Sequence, residues 1–176
     1  VESEVIKKAK QGDRDAMAQI IRNNQENVFA LAYRMTGSRE DALDISQDVF
    51  VKAIKGIKKF KGKSAISTWL YSITANTCKD FLRKNKSHQD VELDNVFLRS
   101  QIESPIDNIE IKDRRRLVRD ALESLPEGVR AAFILRYENE LQIDDIAEAL
   151  GKAPGTIKAQ LHDAVKRLRK IIGVEV

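Results

Sequence analysis

The chain has 176 residues, 42 % apolar and 33 % charged, which suffices for one medium domain or two small ones and excludes a large multidomain enzyme. Its 31 Lys and Arg against 27 Asp and Glu leave a net charge of +4, which permits an anionic partner without requiring one. No apolar run reaches the roughly 18 residues of a membrane span and the first ten residues lack a secretory apolar stretch, so a soluble cytoplasmic protein is expected.

In chain order, Asp13 caps a helix whose apolar positions Ala16, Met17, Ile20, Ile21, Val28, Leu31, Ala32 and Met35 keep the helical period until Gly37 stops it. Ser38 with Asp41 resembles a capping box and opens a second helix, with Ala42, Ile45, Val49, Ala53 and Ile57 as its buried stripe. After a Gly/Lys-rich loop, Ser67 is expected to cap a third helix carrying Leu70, Ile73, Thr77 and Phe81 on one side. Residues 87–108 lose the period, are polar and contain Pro105, and read as a linker. Helical patterning resumes over 109–125 (Leu117, Val118, Ala121, Leu122, Leu125), breaks at Pro126 and continues through Val129, Phe133, Ile134 and Tyr137. Two further short helices close the chain. The fold class is all-α: a helical bundle over 1–86, a flexible acidic linker over 87–113, and a second helical domain over 114–176.

Charge divides along the same lines. Residues 1–86 carry a net +7, residues 87–113 a net −5 and residues 114–176 a net +2, so two basic blocks flank an acidic connector.

The most specific local signal is Ala147, Gly151 and Ile157, spaced four and then six residues apart. A small residue lets two crossed helices approach, a glycine takes positive φ in the turn, and an apolar residue buries the second helix against the first. That is a helix-turn-helix. If its second helix enters a major groove, Thr156, Lys158, Gln160 and His162 reach base edges and phosphates, while Lys166, Arg167, Arg169 and Lys170 add backbone contacts. Asp163 on the same helix would repel phosphate. An ordinary αα corner with a solvated basic face is the plainer reading of these residues.

A second signal runs from Lys52 to Trp69, where Lys52, Lys55, Lys58, Lys59, Lys61 and Lys63 surround Phe60 and lead into Ser64–Trp69. Lysines hold a nucleic-acid backbone while aromatic and small polar groups receive unstacked bases, a combination suited to single-stranded DNA. The next helix adds Asn76, Lys79, Arg83 and Lys84, with Asn76 able to make a bidentate base contact. Lysine runs are also common on solvated faces, and Trp69 is expected to serve mainly as core. The third signal is an acidic stripe, Asp41, Asp44, Gln47 and Asp48, opposite the apolar one. It either complements the positive end of its helix or seats a basic partner.

One cysteine, Cys78, and two histidines, His88 and His162, make neither a disulfide framework nor a zinc cluster. No phosphate loop or nucleophile elbow is present, so the expectation is a binding protein without metal, cofactor or catalytic residues. A stand-alone helix-turn-helix regulator, binding palindromic duplexes as a dimer, would leave the first block unexplained. An adaptor whose basic faces bind acidic proteins is the remaining alternative.

Taken together these residues resemble the extracytoplasmic-function sigma factors, small two-domain bacterial transcription initiation factors. Asp41–Phe50 is similar to the family's core-polymerase-binding helix, and Phe60–Asn76, continuing to Asp80 and Arg83, to the segment that melts and reads the minus-10 element. Gly151–Arg169 is similar to the helix that reads the minus-35 element. The resemblance implies that Asp41, Asp44, Gln47 and Asp48 contact core RNA polymerase. It implies minus-10 DNA contacts for Lys59, Lys61, Lys63, Ser64, Ala65, Ile66, Ser67, Asn76, Lys79 and Arg83, the loop Lys63–Ser67 holding a base flipped from the non-template strand. It implies minus-35 contacts for Pro154, Gly155, Thr156, Lys158, Gln160, His162, Arg167 and Lys170. It further implies promoter DNA as a partner, a cognate anti-sigma factor, and an acidic linker threading the polymerase's basic channel. Lys152 and Ala153 depart from the family pattern, leaving the second helix without the usual hydroxyl cap.

Overall fold

The computed structural model describes the backbone of residues 2–89 and 109–173 and, within these, the side chains outside 86–89 and 109–114. Most of the expected connector, residues 90–108 with Pro105, lies outside the described residues. The described residues form eight α-helices and a single 3-10 turn at Ile57–Lys59, with no strand among them: α1 Glu2–Lys10, α2 Arg14–Thr36, α3 Arg39–Gly56, α4 Ile66–Gln89, α5 Ile109–Glu123, α6 Glu127–Tyr137, α7 Ile143–Leu150 and α8 Pro154–Ile172.

The punctuation follows local chemistry. Asp13 accepts from the backbone N–H groups of Asp15 (2.9 Å) and Ala16 (3.0 Å), satisfying donors that the first turn of α2 leaves open. Gly37 ends α2 in the left-handed region (φ 71°), and Ser38 Oγ accepts from the Asp41 N–H at 3.3 Å to start α3. Ser67 departs from expectation: α4 begins at Ile66, and the Trp69 N–H already bonds to the Ala65 carbonyl, so Ser67 lies inside the first turn. Two other expectations also change. An additional helix, α1, packs on α2 and the 3-10 turn, and α8 runs 19 residues rather than being short.

Helices α2, α3 and α4 pack on one another, and α6, α7 and α8 form a second set with α5 laid against α8. The two sets do not bury separate cores. Ala147, Ala149 and Leu150 of α7 belong to the same apolar cluster as Leu70, Tyr71 and Cys78 of α4. The cause is legible in α7, where Ile146, Ala147, Ala149 and Leu150 are all buried. Half of an eight-residue helix cannot hide against α8 alone, and α4 covers the remainder. A smaller cluster joins Ala121, Leu122 and Leu125 to Ala164 and Leu168. Leu117 and Val118, apolar positions of the α5 pattern, are nevertheless exposed, because α5 meets its neighbours, chiefly α8, through the face that carries Ala121, Leu122 and Leu125.

Polar bonds stitch the halves together. Arg130, buried in α6, donates from Nη1 to the Met35 carbonyl of α2 at 2.7 Å and from Nη2 to the carbonyls of Glu123 (2.8 Å) and Leu125 (3.2 Å). Asn139 Nδ2 donates to the Tyr71 hydroxyl at 3.1 Å, and Arg34 Nε pairs with Glu138 at 2.9 Å. Within the helices, buried Asn24, Thr36, Ser46 and Thr74 bond back to the carbonyl four residues earlier, so each of these buried polar side chains has a partner.

Candidate polymerase and nucleic-acid interfaces

Helix α3 separates its two stripes by geometry. Ala42, Ile45, Val49 and Ala53 face α2 and α4, leaving Asp44, Gln47 and Asp48 exposed on the other side. Asp41 is half-buried in the first turn, where its backbone N–H is held by Ser38, so its charge complements the helix end. Asp44 and Asp48 lie further in, beyond the reach of that effect. Asp48 pairs with Lys52 at 2.8 Å, and Lys52 also donates to Thr77 Oγ1 of α4 at 3.0 Å. Leu43, Val51 and Ile54 are each close to half exposed on the same helix. Carboxylates interspersed with exposed apolar side chains make a face suited to a basic, partly apolar partner surface.

The segment after α3 is anchored by aromatics. Phe60 is buried, its ring centroid 5.3 Å from that of Trp69, and Trp69 also lies over Gly56. Gly62 turns the loop at φ 67°. Lys59, Lys61, Lys63 and Ala65 are exposed, Ser64 and Ser67 are half-buried, and Ile66 is buried with 4 % exposure. Ile66 therefore has little surface to offer a duplex. It lines instead a cavity of about 370 Å³ between this loop and α1.

On α4, Asn76 and Arg83 are exposed and Lys79 is half-buried, along one side of the helix. Burial, with Lys152 and Arg83 nearby, holds the Lys79 ammonium below its usual pKa against the opposing pull of Asp80. Lys152 belongs to the other half of the chain, so two cationic segments face each other where the halves meet. Cys78 on α4 is fully buried, and burial pushes its thiol up to about 12 despite the nearby Arg130 charge, leaving it unreactive at neutral pH.

The helix-turn-helix forms as its spacing implies. Ala147 is 5 % and Ile157 0 % exposed, and Gly151 takes φ 63° while its N–H bonds to the Glu148 carbonyl. Ala153 occupies the N-cap of α8 without a side-chain bond, and Pro154 follows at the first helical position, where a missing N–H costs nothing. Pro154, Gly155, Thr156, Lys158 and His162 are exposed along the leading turns, as are Lys166, Arg167, Arg169 and Lys170 further along. Gln160 is half-buried, its Oε1 accepting from Lys152 Nζ at 3.1 Å, and His162 Nδ1 lies 3.4 Å from Asp163 Oδ1.

Residues 20–88 match the Sigma-70 region 2 family and residues 115–168 the Sigma-70 region 4 family. The chain is 33 % identical over 174 residues to the ECF RNA polymerase sigma factor SigW of Bacillus subtilis, covering 94 % of this chain and 93 % of that one. It is 30 % identical over 170 residues to the ECF RNA polymerase sigma-E factor of Haemophilus influenzae, covering 91 % and 89 %. The chain belongs to the ECF RNA polymerase sigma factors. Two solved folds are similar to this sigma factor: RpoE of Bartonella quintana, in complex with the anti-sigma factor NepR (TM-score 0.73, 24 % identity, 90 % of this chain and 98 % of that one), and CnrH, in complex with the cytosolic domain of CnrY (TM-score 0.71, 20 % identity, 98 % and 97 %).

Two features of this sigma factor escaped sequence reading. Arg130 interrupts the apolar run Val129–Phe133, and that interruption is the signal that could have found it, since a charge in an apolar stripe is tolerated only with several partners. The wall that α1 gives the cavity carried no motif. No described helix is long and apolar enough to cross a membrane.

Proposed function

We propose that this sigma factor divides promoter recognition between residues 1–86 and 114–176, with residues 87–113 as the connector between them. Asp44, Gln47 and Asp48, with Asp41 at the helix start, bind core RNA polymerase through the exposed face of α3. The basic loop Lys59–Ser67 and the α4 residues Asn76, Lys79 and Arg83 take the opened minus-10 strand. The exposed turns of α8, from Pro154 to His162 with Arg167 and Lys170, take the minus-35 duplex. The chain itself is no enzyme: it works in the cytoplasm by binding, and the polymerase performs the chemistry. A cognate anti-sigma factor is a further partner, as the similar fold of RpoE is solved in complex with the anti-sigma factor NepR.

The observation that supports this reading best is the side-by-side presence of a solvent-facing acidic helix and two separate basic surfaces on a chain of this family. Asp48→Arg tests it. The change removes an exposed i,i+4 pair with Lys52 and substitutes a like-charge one, costing under about 1 kcal/mol of stability. Co-purification with core polymerase is expected to be lost while the unfolding midpoint moves little, and undiminished co-purification overturns the assignment of α3.

A further inference from the structure

We infer that Lys152 and Gln160 form one base-reading unit, in which Lys152 turns the Gln160 amide so that its N–H donors select guanine; this rests on the assignment of α8 to the minus-35 duplex. The Lys152 ammonium donates to Gln160 Oε1 at 3.1 Å. A lysine has donors only, so the amide oxygen is the atom that faces it and the amide nitrogen faces away. Gln160 Nε2 has no hydrogen-bond partner among the described residues and is open to solvent. The pair therefore presents free donors and holds its acceptor back.

The local fold sets this geometry. The Lys152 N–H bonds to the Ala147 carbonyl at 2.9 Å, directly after the left-handed Gly151, so the turn itself fixes where the lysine side chain starts. Gln160 lies four residues after exposed Thr156 and shares its face of α8. Helix α6 leaves room for the ammonium, because a Cβ at Gly128 would stand 3.1 Å from Lys152 Nζ. Lys79 approaches from α4 and, as a like charge, offers the ammonium no alternative partner. Gly128, Lys152 and Gln160 all belong to the C-terminal half, so the pair needs nothing from α4. A glutamine without such a neighbour reads adenine, accepting from N6 through its oxygen and donating to N7 through its nitrogen. Here the oxygen is engaged by a cation, which also opposes the adenine N6 amino group. Guanine presents two acceptors in the major groove, O6 and N7, and these match the donors that remain.

The test uses the full chain with core polymerase and a promoter selected by that holoenzyme from a genomic library, each minus-35 base pair being replaced in turn by the other three. Wild type is expected to prefer guanine over adenine at one position by about 5- to 150-fold. Lys152→Met, which keeps the aliphatic stem, is expected to shift that preference toward adenine at that position alone, while Lys152→Arg retains it. Gln160→Glu, still paired with Lys152 but carrying acceptors only, is expected to move the preference to cytosine. The inference is overturned if Lys152→Met weakens every sequence alike and lowers the log–log salt slope by about 0.9, the behaviour of a phosphate contact. It is equally overturned if Lys152→Met or Gln160→Glu keeps the wild-type preference, or if wild type has none for guanine. In each case the reading of α8 stands so long as Lys158→Ala or Arg167→Ala weakens binding to the minus-35 duplex. If those variants are silent as well and no minus-35 replacement matters, the reading of α8 falls too.

Discussion

Replacing Arg130 with Met keeps the aliphatic reach of the side chain and deletes the guanidinium that joins the halves. Its bond to the Met35 carbonyl at 2.7 Å crosses from α6 to α2, while those to Glu123 and Leu125 stay within the C-terminal half. A hydrogen bond from a charged donor contributes about 1.5–3 kcal/mol, so losing the crossing bond raises the ratio of separated to docked halves about 10- to 150-fold. Cys78 reports that ratio. It lies seven residues after Tyr71, on the face of α4 that meets Asn139 of the other half, is fully buried, and has its thiol pushed up to about 12. Labelling by a disulfide reagent at pH 8 therefore proceeds only through opening. The expected result is labelling accelerated by that factor with the helical circular dichroism retained. Asn139→Ala, which removes only the neutral bond to Tyr71, worth about 1 kcal/mol, accelerates it about fivefold. Unchanged labelling in Arg130→Met, or labelling that tracks global unfolding in denaturant, would refute the reasoning.

Lys79 is held below its usual pKa, so the folded chain binds this proton less tightly than the unfolded chain does. The resulting penalty is complete at neutral pH and disappears as pH rises past the ordinary 10.5. Lys79→Met should stabilise the protein against urea at pH 7, with the gain shrinking toward pH 10.5, and should weaken promoter binding; a gain that grows with pH contradicts the assigned cause. Gly151→Ala forces a side chain into a left-handed conformation in open space, costing about 1–2 kcal/mol in urea unfolding, and Asn at the same position should recover part of it. Ile157→Ala empties a fully buried site for about 2–5 kcal/mol, and should abolish duplex binding by the C-terminal half while polymerase co-purification persists.

Much of the site was legible because its determinants are local. The caps at Asp13 and Ser38, the stop at Gly37 and the Ala147–Gly151–Ile157 spacing each depend on contacts within a turn or two, and each appears where the residue types imply. The stripes of α3 are equally readable, since a helix period assigns opposite faces whatever packs on them. Ser67 was misread because a hydroxyl one residue inside a helix looks the same in sequence as one at its cap.

What the amino-acid order alone determined is the helices α2 to α8, the inner and outer faces of most of them, and the basic and acidic character of each surface. Only the tertiary structure decided that α7 docks on α4, that Arg130 spans the halves to Met35, and that α1 closes one side of the cavity beside Phe60. The difference is physical. Periodicity and capping are written within a few residues, whereas which apolar face covers which, and which carbonyl receives a buried guanidinium, depends on groups 95 residues apart whose pairing no local pattern encodes.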